Sequence, residues 1–473
     1  MNSSVAAGRL LRGGFVLLLL GTIATAAEPD PQISSRLIAP TLRLARQFLL
    51  AGNLDAAHKQ VESLVEANPA DARALGLLGD VLFRQSKFGD AERAYRLSVQ
   101  TDPHYARGHW GLGRMAMLWS DPVSARDHFA FAFQLDAQDP DIVLSHSDFV
   151  AEPAARITLL RTYLSLADGT QDRIRIEDAA ARLEIAQHLG QRGVAELTSP
   201  YRPYRLKLAG YFPNGGAQSG LLVEVSINGK PMRFLLDSGA DGIFVSGERA
   251  QRAGLERIAS ARVGGVGSVH DGSAFVALAH QVSMGDLQLK DCLVKVTEPG
   301  SVPDADGVIG VNVFANFIVR IDPPARTLDL VPFADRGDAG SAASGAIRAY
   351  RVGHLLLVDA LMNGQSDGLF LLDTGASFSS TPGWGLGETA GSAEIEVRGM
   401  RGQVNGALRA PPIRLTIGGK QLIDEKPVRL DLREVSRAEG VEISGIAGYP
   451  LLSKSVLVIN YRDGLVQFDQ AGR

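Results

Sequence analysis

The spacing of apolar residues along the chain changes once. Up to about Leu197 it is helical, with Ala179-Ala180-Ala181-Arg182-Leu183-Glu184-Ile185-Ala186 as the clearest late piece. From about Leu206 it alternates: Leu221, Val223, Val225 and Ile227 lie on one face of an extended strand, and Glu224, Ser226 and Asn228 on the other. Asn228-Gly229 then predicts a tight hairpin turn, because both residue types tolerate the positive φ it demands, and it leads into Phe234-Leu235-Leu236. An all-α part followed by an all-β part is the expected layout.

The helical part repeats. Ala57, Ala91 and Ala125 are spaced by 34 residues, as are Pro69 and Pro103, and Leu78-Gly79 and Leu112-Gly113. Small residues such as Ala91 let paired helices approach. Leu82, Phe83, Tyr95 and Leu97 are expected to fill each pair, and Asn68-Pro69 and Asp102-Pro103 to restart the next. Residues 38–136 resemble tetratricopeptide repeats, in which three helical pairs bury a continuous core. Such a solenoid offers a concave surface to a protein partner, or serves as a spacer or dimerisation arm. Residues 137–199 read as a helical connector.

The β part repeats too. Asn228-Gly229, Phe234-Leu235-Leu236-Asp237-Ser238-Gly239-Ala240, Met284-Gly285, Ile309-Gly310 and Ile321-Asp322 recur as Asn363-Gly364, Phe370-Leu371-Leu372-Asp373-Thr374-Gly375-Ala376, Ile417-Gly418, Ala447-Gly448 and Ile459-Asn460. Gly310 follows Asp237 by 73 residues and Gly448 follows Asp373 by 75. Two related lobes, 200–335 and 347–473, are thus expected on either side of a Gly/Ala/Ser-rich linker, 336–346.

Each lobe runs a buried strand into an aspartate, a hydroxyl residue and a glycine. A carboxylate there is costly unless hydrogen bonds receive it, and a glycine loop can turn backbone N–H groups toward it. Two such loops brought face to face would place Asp237 and Asp373 where they cannot both ionise and so share one proton. One member then acts as base and the other as acid. They can activate a water against a peptide carbonyl and protonate the developing oxyanion, with no metal, other cofactor or covalent intermediate.

From about Leu206 to Phe468 the chain resembles two fused retropepsin-like aspartic protease domains, arranged as the lobes of pepsin-type enzymes are. The resemblance implies a bilobal all-β acid-protease fold with Asp237 and Asp373 as catalytic dyad. It implies that Ser238 and Thr374 lock the two loops through their hydroxyls and that Gly239 and Gly375 shape them. Val308-Ile309-Gly310 and Ile446-Ala447-Gly448 match the element packed beneath each loop. Gly264, Gly265 and Gly267 in lobe one, and Gly399 and Gly402 in lobe two, fall where substrate-covering flaps belong. Gly265 and Gly267 do not make a dinucleotide site, since the third glycine and the following helix are missing. Lobe two is the less orthodox: Glu248–Leu255 predicts a helix in lobe one, whereas its counterpart is Gly383-Trp384-Gly385-Leu386-Gly387. Phe244, Phe378 and Trp384 could line subsites or simply pack the core.

Length and charge agree with this layout. The 473 residues suit about three domains. With 45% apolar and 21% charged residues and a net charge of -4, nothing points to nucleic acid or a membrane surface. Arg9 and Arg12, the apolar Phe15–Leu20 and the small residues Ala24-Thr25-Ala26-Ala27 have the order of a secretory leader, residues 1–26. The expected destination is the periplasm in a Gram-negative cell, or secretion otherwise, with no membrane attachment after leader removal. Cys292 is the only cysteine, so no intramolecular disulfide forms. The nine histidines lack metal-ligand spacing, and His58, His104 and His128 read as surface residues.

The expected function is that of an exported aspartic endopeptidase acting on peptide or protein substrates, with the repeats recruiting a partner or substrate. Two alternatives stay open: a non-catalytic peptide-binding scaffold, and a first lobe that completes its dyad by dimerising between chains.

Overall fold

The computed structural model describes residues 31–167, 173–261, 274–297, 302–334, 345–382, 394–395, 397–399, 402–404 and 406–470. The expected leader, the flap candidates Gly264, Gly265 and Gly267, most of the expected linker, and Trp384 lie outside them.

Nine helices precede the sheets among these residues: α1 (Pro31–Leu50), α2 (Leu54–Ala67), α3 (Ala72–Arg84), α4 (Phe88–Thr101), α5 (Ala106–Leu118), α6 (Pro122–Leu135), α7 (Pro140–Ser147), α8 (Pro153–Leu166) and α9 (Arg173–Leu189). Their starts are written in the sequence. Asp71, Asp121 and Asp139 accept backbone N–H groups at the first turns of α3, α6 and α7, and Pro122 and Pro140 open two of those turns.

The 34-residue period has a packing cause. Tyr95 lies flat against Gly79 and Phe129 against Gly113, so a Cβ on either glycine would come within 2.5 Å of the ring it faces. Ala57, Ala91 and Ala125 are fully buried. Leu82, Phe83 and Tyr95 fill the pair as expected, but Leu97 is 46% exposed. Two residues beyond Tyr95, it sits about 200° round the helix, away from the buried stripe of Ala91, Ala94, Tyr95 and Ser98. Tyr95 also presses on Gly111, whose added Cβ would lie 2.2 Å from two ring carbons. Overpacking against a clamped ring should outweigh the ~1 kcal/mol gain in helix propensity from Gly111→Ala. A net loss of about 1–2 kcal/mol is expected, read as a lower urea midpoint.

Each lobe is a folded sheet with its aspartate at the end of a central strand. The strand Lys230–Asp237 pairs in parallel with Gly307–Gly310, setting Asp237 opposite Gly310; Ser366–Asp373 pairs in parallel with Gly445–Gly448, setting Asp373 opposite Gly448. The sequence repeat is therefore a repeat of register. Both Asn-Gly turns take the expected left-handed backbone, with φ of 48° and 79° at Asn228-Gly229 and 55° and 75° at Asn363-Gly364.

The lobes are joined by more than their linker. The strand Phe317–Asp322 pairs antiparallel with Val456–Asn460, through Val319 with Ile459 and Ile321 with Leu457. The last elements of the two repeats thus pair with each other inside one 14-stranded sheet. Dimerisation of lobe one between chains is not needed to bring two carboxylates together.

The helical part packs on both lobes. Leu82, Phe83, Phe88, Ala91, Leu112 and Met115 share one apolar core with lobe-two residues such as Leu355, Leu357, Leu371 and Ile446. Phe88 and Trp119 contact the Tyr350 ring at 4.7 and 5.2 Å. Arg84 donates to the Ser436 carbonyl and Ser86 to that of Glu442. At the other end α9 lies on the lobe-one edge strand Arg257–Ala261, where Glu184 accepts the Ser260 N–H at 2.7 Å. Arg175 of α9 also reaches back to Asp141 of α7 at 2.6 Å, an aspartate that takes Arg107 as well. Burial alone would raise its pKa, but the arginines pull it down to about 2. The repeats are integral to the β part rather than a spacer standing off from it.

Candidate active site

The two Asp-hydroxyl-Gly loops meet face to face. Ser238 donates its hydroxyl to the Leu372 carbonyl at 2.8 Å and accepts the Thr374 N–H at 3.0 Å. Thr374 donates to the Leu236 carbonyl at 2.9 Å and accepts the Ser238 N–H at 3.0 Å. Each hydroxyl thus crosses to the other lobe and satisfies one donor and one acceptor there. Both side chains are buried, so every one of these bonds replaces a polar group that would otherwise be left unpaired.

This exchange holds Asp237 and Asp373 in hydrogen-bond contact. Asp237 Oδ1 accepts the Gly239 N–H at 2.7 Å. Asp373 Oδ1 accepts Gly375 and Ala376, each at 2.9 Å. The glycines allow the approach: a Cβ on Gly239 would lie 2.8 Å from Asp373 Oδ2, and one on Gly375 2.3 Å from Asp237 Cγ.

Two carboxyls so placed cannot both carry a charge. Burial, and then the Asp373 charge, raise the pKa of Asp237 well above the ordinary carboxylate value. Burial raises Asp373 too, but the hydrogen bond from Asp237 and the two loop amides work against it. Both carboxyls are thus pushed upward, and the pair holds one proton between them.

A charged cluster lies beside the lobe-one loop. Asp241, four residues after Asp237, accepts Lys295 Nζ at 2.9 Å and Asn312 Nδ2 at 2.8 Å, and Asn312 in turn accepts the Gly242 N–H. Burial would raise the Asp241 pKa, but Lys295 reverses this and leaves it lowered. Burial and the Asp241 charge push Glu439 up to about 7. Four residues after Asp373, lobe two has Ser377 in place of an acid. His354, in the turn between Tyr350–Val352 and Leu355–Met362, crosses to lobe one and places Nε2 3.1 Å from the Gly239 carbonyl.

Other sequence expectations meet mixed outcomes. Gly399 and Gly402 face each other in a hairpin, Val397–Gly399 with Gly402–Val404, that forms its own two-stranded sheet. Phe244 is buried among Tyr211, Leu222, Leu235 and Val308, a core position, while Phe378 is half-buried beside the core shared with the helices. Lobe one has its helix at Gly247–Arg252. Of the three histidines expected at the surface only His104 is exposed; His58 is half-buried against Gln85 and His128 beside His109. The sequence reading passed over Asp241, Lys295, Asn312, Glu439 and His354. The offsets of Asp241 from Asp237 and of Asn312 from Gly310 are signals that could have found two of them; His354 has none.

Comparison with known proteins agrees with both parts. Residues 223–313 match the aspartyl protease family model and residues 42–106 a tetratricopeptide repeat model. A cytochrome c-type biogenesis protein, CycH, of Bradyrhizobium diazoefficiens is 35% identical over 94 residues, 19% of this chain and 26% of that protein. DNA damage-inducible protein 1 of Cryptococcus neoformans var. neoformans, in each of two strains, is 27% identical over 266 residues, 49% of this chain and 60% of that protein. The chain thus spans about a quarter of the first relative's length and 60% of the second's.

Proposed function

We propose that this chain, with tetratricopeptide repeats ahead of an aspartyl protease-like domain, is an exported aspartic endopeptidase. The observation that carries this reading is the carboxyl pair, held in contact by hydroxyls exchanged between lobes. A water between the carboxyls loses a proton to the ionised member as it attacks the substrate carbonyl, and the protonated member donates to the oxygen that gains charge. The tetrahedral intermediate then collapses, with the departing amine protonated by the carboxyl that took the water's proton. The hairpin of Gly399 and Gly402 covers the substrate. Export follows from the leader-like residues 1–26, and the helical repeats contribute a surface for a protein partner or substrate.

The test is a mixed peptide library incubated with the chain between pH 3 and 7, with cleavage sites read by mass spectrometry. Cuts within extended peptides are expected, and a tight transition-state-analogue peptide should titrate one site per chain. A peptide that binds across this range and is never cut would overturn the reading in favour of a binding scaffold. One site per two chains would overturn the single-chain dyad.

A further inference from the structure

The geometry points to His354 as a positioning residue for the carboxyl pair, acting from lobe two on the lobe-one loop through the Gly239 carbonyl. This inference rests on the peptidase reading for its kinetic meaning, although its structural content does not. A carbonyl only accepts, so neutral His354 must carry its proton on Nε2 and donate it at 3.1 Å. The same residue, Gly239, donates its own N–H to Asp237 Oδ1 at 2.7 Å. A donor that fixes the Gly239 carbonyl holds the residue, and with it this N–H, in the orientation that receives the carboxylate. The contacts run from imidazole to Gly239 carbonyl and, through that residue, from the Gly239 N–H to the Asp237 carboxyl. His354 therefore favours the ionised state of the pair without touching either carboxyl.

Its mounting suits this task. The turn that carries His354 follows Tyr350–Val352, and Tyr350 is held by Phe88 and Trp119 of the helical repeats and by a hydrogen bond to Asp359. The hairpin is thus packed against the helices on one side while its tip reaches lobe one on the other. The groups facing His354 are Asp241, Lys295 and Asp373, and Asp178 of α9 and Glu439 face Asp241 in turn. Burial disfavours the imidazolium, Asp241 and Asp373 favour it, and Lys295 opposes it; the outcome is a lowered pKa. His354 is accordingly a neutral donor near pH 7 and gains its charge beside the dyad only in acid.

Two variants test this. His354→Ala removes the donor, and His354→Gln supplies an amide N–H the same number of bonds from Cβ without a titrating ring. In the alanine variant kcat should fall about tenfold with KM little changed, an order of magnitude less than removal of a direct donor to a developing charge. The glutamine variant should keep kcat within about twofold near neutral pH. Its profile should lack the extra ionisation on the acid side. Independently of turnover, the titration of carboxyl-labelled Asp237 and Asp373 followed by NMR should move to higher pH in His354→Ala and return in His354→Gln. An alanine variant whose titration and kcat both match the wild type would overturn the inference even in an active peptidase. A chain that cuts nothing, yet shows the shift and its rescue, would remove the peptidase reading and leave the positioning role standing.

Discussion

Asp237→Asn is expected to lower kcat by roughly 10³- to 10⁴-fold, the range of a general acid or base withdrawn from the reaction. Asparagine keeps the shape and can still accept the Gly239 N–H, but it has no proton to share with Asp373. The same substitution should not cost stability, and the sign follows from the direction of the shift. Asp237 ionises less readily folded than unfolded, because burial and Asp373 both oppose its charge. A carboxyl raised in this way leaves stability intact below the unfolded carboxylate range and removes it as pH climbs toward the folded value. Asparagine never ionises. The variant's thermal midpoint should therefore match the wild type in strong acid and rise above it toward neutral pH. Undiminished cleavage by Asp237→Asn would end the assignment of this pair, and a stability difference that shrinks as pH rises would contradict the charge balance.

Gly375→Ala should be nearly as damaging to turnover, by a steric route. The new Cβ would lie 2.3 Å from Asp237 Cγ and 2.4 Å from its Oδ2, distances no pair of atoms keeps, and the opposing carboxyl is fixed by its own loop. Something must move by about an ångström, which at a reacting centre costs on the order of 10²-fold in kcat/KM. The disturbed hydroxyl exchange should lower the thermal midpoint as well, with circular dichroism unchanged at low temperature. Wild-type turnover in this variant would mean that the two loops do not approach as closely as described.

Much of this was legible in the sequence because it was written twice. Each lobe repeats an apolar triplet, the Asp-hydroxyl-Gly loop and the second glycine, and the register of Asp237 with Gly310 and Asp373 with Gly448 explains why the intervals agree. The glycines at 79 and 113 announced the helical period for a similar reason: an aromatic ring from the next helix leaves no room for a side chain. What escaped notice occurs once and depends on distant partners. His354 meets Gly239 across 115 residues and Glu184 meets Ser260 across 76, contacts that exist only after the lobes and helices have been assembled. Leu97 shows the converse error, an apolar residue placed inside by its type when its angle on the helix puts it outside.

The seat of α9 on the strand Arg257–Ala261 has a consequence for how such a chain can be handed down. That strand ends one side of the large sheet, and α9 occupies the place where another molecule's strand could otherwise add itself. At the opposite end α3, α4 and α5 cover apolar side chains of lobe two that would be bare without them. The helical part, repeats and connector together, thus cannot be exchanged as a detachable cassette: a gene fusion that swapped it for an unrelated module would release a sticky, self-associating remainder. Recombination would therefore have to transmit helices and lobes together, with their contact residues changing in concert.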